Sequence, residues 1–184
     1  QPPHGALRGP GGPRVGGPAC PGYTEMFEPG PADIAAICTP SGLHPKQGIV
    51  AAKHRMHVIC EKPMATRLEE ADALVQACDD AGVHLFVVKQ NRLNPPIQLL
   101  KKAVDKGRFG RIYMANTTVR WTRPQEYYDQ APWRGTWEFD GGDMMNQGSH
   151  YVDRTPGVFG PVASVMGRAR RDAPRPAGTG AVVR

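Results

Sequence analysis

The fold class this sequence predicts is α/β, built on a parallel sheet, and three observations predict it. Short apolar runs recur at 33–39 (DIAAICT), 56–60 (MHVIC) and 83–88 (VHLFVV). Stretches with helical patterning lie between them, at 45–55 and 66–82. The connections are short, so strand, helix, strand, helix and strand follow in order. That is the signature of successive βαβ units, and hence of a parallel sheet covered by helices on both sides.

Each element has its local reason. Pro45 suits the first turn of the first helix, where its missing N–H costs nothing. Thr66 and Glu69 have the spacing of a capping box, Leu68, Ala71, Leu74, Val75 and Cys78 form one helical face, and Gly82 is placed to stop that helix. Residues 96–107 (PIQLLKKAVDKG) read as a further helix, with Ile97, Leu100 and Val104 on one side and Gly107 as its stop. Residues 110–121 (GRIYMANTTVRW) alternate well enough to predict a long strand of a different sheet. In 139–153 (FDGGDMMNQGSHYVD) a glycine turn leads into a helix on which Asn146 and His150 share a face, with Asp153 three residues further on.

Both ends differ from this body. Residues 1–21 hold six Gly and six Pro, and 167–184 are rich in Arg, Gly, Ala and Pro, so neither is expected to pack a core. The two ends also carry the whole formal charge of +6, leaving 22–166 with 16 basic and 16 acidic side chains. A nucleic-acid-binding domain concentrates its basic excess on the folded body, so no nucleic-acid partner is expected. No apolar run is long enough to span a bilayer, and no membrane association is expected. Four cysteines without a CxxC spacing, three of them in or beside apolar runs, fit a reduced, cytoplasmic protein.

The strand ends carry the chemistry. Thr39, Pro40, Ser41 and His44 follow the first apolar run, Glu61, Lys62 and Pro63 the second, and Lys89, Gln90, Asn91 and Arg92 the third. Right-handed crossovers bring all three ends to one edge of a parallel sheet, where such sheets bind ligands. Pro63 biases Lys62 toward an extended backbone. His54, His57 and Cys60 are spaced by three, but they run from a helix end into a strand and would not converge, so no metal is expected.

Four of these stretches in order, AICTPSGLH, EKPMA, VVKQNRLNP and WRGTWEFDGGDMMNQGSHYVD, resemble the Gfo/Idh/MocA family of NAD(P)-dependent oxidoreductases across 22–166. The likeness is strongest to the branch that oxidises UDP-N-acetylglucosamine derivatives, such as UDP-N-acetyl-2-amino-2-deoxyglucuronate, at the C3 hydroxyl. The resemblance implies a partial Rossmann-like nucleotide domain at 22–91 and the start of an α+β domain for substrate and oligomerisation at 92–166. It implies NAD as cofactor, with NADP as the alternative, a nucleotide-sugar substrate, and homo-oligomers. Position by position, it makes Lys62, His150 and Asn146 the catalytic set. It puts Thr39, Pro40, Leu43, His44, Glu61, Lys62 and Gln90 where the family contacts the nicotinamide nucleotide, and Trp133 and Arg134 near cofactor or substrate. Asn146 stands where many members have Asp, and the sugar-nucleotide branch tends toward Asn. In relatives the Lys62–Pro63 peptide is often cis.

Two features depart from the family pattern. No GxGxxG follows a first strand, and after His150 the sequence DRTPGVFGPVASVMG runs into the Arg-rich tail, with Pro156 expected to interrupt the helix. The expectation is a copy truncated or frame-shifted at both ends. The alternative to a dehydrogenase is then an inactive remnant that only binds a ligand or partner. The chemistry leaves the base open: His150 titrates near neutrality, and a desolvated Lys62 serves either as base or as stabiliser of the developing oxyanion.

Overall fold

A computed structural model describes residue 20, residues 22–27 and residues 32–168 of the chain. The segments expected at 1–21 and 167–184 lie largely outside the described residues. The elements are α1 (Tyr23–Phe27), β1 (Ile34–Ile37), α2 (His44–Lys53), β2 (His57–Cys60), α3 (Leu68–Ala81), β3 (Leu85–Val87), α4 (Pro95–Asp105), α5 (Gln125–Asp129) and α6 (Ser149–Phe159). Short 3-10 turns follow β1 and β3, and a π-helical turn, Met144–Gly148, leads into α6.

The three strands form a parallel sheet in the order β1-β2-β3, with Ile34 opposite His57, Ile37 opposite Cys60, and Cys60 opposite Val87. Helices on both faces were expected; among the described residues α2 and α3 pack on each other over one face. The reason is topological. Strand order steps in a single direction, and two right-handed crossovers made in the same direction fall on the same side. Burial alternates accordingly: Ala35, Ile37, Val58 and Cys60 are buried beneath the helices, whereas Ile34 and Phe86 are about half exposed.

The core lies between this face and the two helices. Ala51 and Ala52 of α2, Leu74 and Cys78 of α3, and Val58 of β2 are all essentially inaccessible. Gly48 lets the helices approach: a Cβ there would lie 2.6 Å from Cδ1 of Leu74. Gly82 ends α3 in the left-handed conformation, as its position predicts.

Four sequence readings need correction. Thr66 and Glu69 form no capping box; Arg67 occupies the N-cap, and the Thr66 hydroxyl donates instead to the carbonyl of Glu138 at 3.2 Å. On α3 only Leu74 and Cys78 of the proposed face are buried, while Leu68 and Val75 are exposed. Residues 110–121 form no strand and are exposed throughout, because alternation supplies a face but not a ladder partner. Pro156 does not stop α6, which continues to Phe159; it sits close to the helix end, where one missing N–H is a small loss.

Candidate functional site

The carboxyl ends of β1 and β2 meet the loop 133–143 and the π-turn, while the turn after β3, whose Lys89, Gln90, Asn91 and Arg92 do not line the cleft, meets α6. The loop is docked on the sheet edge by two backbone-directed contacts: Gly42 N–H donates to Phe139 O at 3.2 Å, and the Thr66 hydroxyl donates to Glu138 O. Gly42 is required for the approach, since a Cβ there would lie 2.0 Å from the Glu138 oxygen. Gly141 and Gly142 both have positive φ, 74° and 80°, and turn the chain from the loop into the π-turn. A cleft of about 810 Å³ opens between the strand ends and this loop.

Lys62 stands at the centre of the site. It is the second residue after β2, its peptide bond to Pro63 is cis, and its ammonium donates to both the backbone carbonyl of Asn146 (3.0 Å) and its side-chain Oδ1 (3.1 Å). A lysine offers only donors, so the amide of Asn146 must turn its oxygen toward Lys62 and its NH2 away. The NH2 donates to Oδ1 of Asp140, whose other oxygen accepts from the Gly135 N–H at 2.8 Å. Asp140 is buried at 4% exposure, so the chain Asp140, Asn146, Lys62 fixes the ammonium from inside the protein.

Burial pushes the Lys62 pKa below that of a free lysine; Lys89 and Arg123 push the same way, opposed by Glu61 and Asp140. His150 lies on the first turn of α6, one helical turn beyond Asn146, and is 4% exposed with Nδ1 unpartnered. Burial lowers its pKa too, and the Lys62, Lys89 and Arg154 charges add to the effect while Asp153 opposes it. Asp153 is held by both nitrogens of an Arg92 fork, at 2.8 and 2.6 Å, which pins α6 to the turn after β3. That bond to Arg92 holds the Asp153 carboxyl below its ordinary range.

Of the site residues read from the sequence, Thr39, Pro40, His44, Glu61, Lys62, Trp133, Arg134 and Asn146 line the cleft. Leu43 and Gln90 do not, and Gln90 points into an exposed turn. His150 is not among the residues that line this cleft. His44 is 1% exposed; its ring bridges Thr39 O (2.7 Å) and Pro63 O (2.8 Å), so its place is to tie two strand ends together. Thr39 in turn donates its hydroxyl to Gln47 Oε1 at 2.6 Å. Cys60 is no nucleophile, since burial pushes its thiol up to about 12. Sequence reasoning missed Asp140, Arg123 and Tyr127. The Asp-Gly-Gly triplet was the one available signal, for a turn with an acid at its start.

A family model described as "Oxidoreductase family, NAD-binding Rossmann fold" matches residues 13–89, and one described as "GFO/IDH/MocA C-terminal domain" matches 97–183. The structure of the WlbA dehydrogenase from Bordetella pertussis, in complex with NADH and UDP-GlcNAcA, is 57% identical with a TM-score of 0.79, over 83% of this chain and 44% of that one. The Chromobacterium violaceum WlbA dehydrogenase, with the same two molecules, is 58% identical with a TM-score of 0.74, over 77% and 41%. Scyllo-inositol 2-dehydrogenase (NADP(+)) IolW of Bacillus subtilis is 31% identical over 70% of this chain and 35% of its own length. The chain thus spans less than half the length of each of these relatives.

Proposed function

The chain belongs to the Gfo/Idh/MocA oxidoreductase family, and on that premise we propose that it serves NAD-linked oxidation of the C3 hydroxyl of a UDP-linked N-acetyl amino sugar or its uronate. The observation that carries the reading is the desolvated Lys62 ammonium, aimed into the cleft by Asn146. Likeness to two dehydrogenases seen with NADH and UDP-GlcNAcA supports the substrate class.

The residues present fit a dinucleotide's reactive end. The cleft volume is that of a small-molecule site, and the cleft lies at the strand ends, with Thr39, Pro40 and Glu61 on one wall and Trp133 and Arg134 also lining it. When bound there, the cofactor supplies the hydride acceptor. The secondary alcohol becomes a ketone by losing its carbon-bound hydrogen with the bonding pair and its hydroxyl hydrogen as a proton. Lys62 faces the cleft and His150 does not, which favours Lys62 as the group at the hydroxyl oxygen. The lowered pKa makes the neutral form of Lys62 easier to reach; in that form it accepts the proton, and Asn146 holds the resulting ammonium against its two oxygens. His150, buried and with its pKa lowered, adds no further charge beside Lys62, Lys89 and Arg154.

Four free cysteines accord with a reduced cytoplasmic setting, and exposed apolar side chains on α4 and beyond accord with a homo-oligomer. No described helix is long and apolar enough to cross a membrane. The test is to incubate the chain with NAD and UDP-GlcNAcA and follow the sugar nucleotide by mass spectrometry. A product lighter by two hydrogens, formed in step with NADH, is expected; unchanged sugar nucleotide would refute the proposal.

A further inference from the structure

Two arginines at the cleft share one aromatic ring. The guanidinium carbon of Arg123 lies 4.6 Å from the Tyr127 ring centre and 4.7 Å from that of Trp121. That of Arg134 lies 4.4 Å from the same Tyr127 ring and 4.9 Å from Trp133. Neither arginine has an ion-pair partner among the described residues, and Nε of each is buried without a hydrogen bond. Asp143 is the acid that feels Arg123, and it lies outside ion-pair distance.

Stacking uses the face of a guanidinium and leaves its in-plane fork of N–H donors unspent. Asp140 and Asp143 line the same small cavity as Arg123, but neither comes within ion-pair distance of it, so among the described residues no carboxylate takes up the two forks and a ligand anion can. Tyr127 and Arg134 line the large cleft, and Arg123 lines a smaller cavity beside it that Asn146 also lines, so the pair sits next to the Lys62 end. We infer that Arg123 and Arg134, stacked on Tyr127, form an oxyanion receptor for an acidic group of the sugar nucleotide, either the uronate carboxylate or the diphosphate. The inference rests on the proposed substrate class and adds Arg123 as a determinant of which sugar nucleotide is taken.

The experiment is a binding titration of the full chain, read by tryptophan fluorescence, since Trp121 and Trp133 carry the two arginines. UDP-GlcNAcA and UDP-GlcNAc are compared in the wild type, Arg123→Gln and Arg123→Lys, with NADH binding as the control for an intact site. Loss of a charge-assisted fork predicts about 10- to 100-fold weaker binding in Arg123→Gln, and a smaller loss in Arg123→Lys, which keeps the charge but not the fork. A loss confined to UDP-GlcNAcA assigns the receptor to the carboxylate, and an equal loss with both nucleotides assigns it to the diphosphate. Less than a twofold change with either overturns the receptor while the dehydrogenase reading stands. Failure of the wild type to bind either nucleotide while binding NADH overturns the substrate reading and the receptor together.

Discussion

The properties of Lys62 come from a few identifiable neighbours. Its ammonium sees two oxygens of Asn146 and no carboxylate at hydrogen-bond distance, because the nearest acid of the relay, Asp140, is one side chain removed. Asn146→Asp would place a negative charge where Oδ1 now lies, 3.1 Å from the ammonium. The acid limb of the pH–rate profile should move up by about 1–3 pH units, the shift an opposite charge at that range produces. His150 makes a separate prediction for stability. Its folded pKa lies below its ordinary 6.5, so the unfolded chain binds the extra proton first as pH falls. Stability should therefore be full above 6.5 and decline as pH falls from there through the lowered value, and His150→Gln should flatten that decline in denaturant midpoints measured against pH.

At the scale of elements, the site depends on a loop that docks onto the sheet edge. Gly42→Ala forces a Cβ against the Glu138 carbonyl, which is backbone and cannot swing aside. The expected cost is roughly 1–3 kcal/mol, the usual range for overpacking, with weakened binding of sugar nucleotide because Asp140 and Asn146 move with the loop; urea melts alongside titrations check both. This dependence also sets what the sequence makes legible. Lys62, Asn146 and His150 can be found because their signals are local: a strand end before proline, and two residues four apart on a helix. The Arg92–Asp153 fork, and the support Asp140 gives Lys62 through Asn146, acquire meaning only when segments about 60 to 80 residues apart meet, and the Arg123–Tyr127–Arg134 stack only when a loop without periodicity folds on itself. The capping box failed for the same reason, since the Thr66 hydroxyl found a better-placed acceptor in Glu138, a partner 72 residues away. The strand expected at 110–121 has the right alternation, but pairing is a property of two segments and its pattern describes one.

Among the described residues the sheet has one face covered by α2 and α3 and the other largely open. Among the described residues β1 and β3 each have a single ladder partner. Apolar side chains that do not line the cleft stand in solvent: Leu93, Tyr113, Met114, Val165 and Met166 are each more than three-quarters exposed. Exposed edges and contiguous apolar surface favour association, so sedimentation velocity should show species above the 20.0 kDa chain mass that grow with concentration; a single 20 kDa species at all concentrations would contradict this. Whether the β2 strand end delivers Lys62 as the proton acceptor is read from the pH dependence of kcat/KM in Glu61→Gln. Glu61 raises the Lys62 pKa and is not among the charges that shift His150. Removing its charge should move the acid limb to lower pH; a limb that stays where it was would place the proton on another group, with His150 first in line.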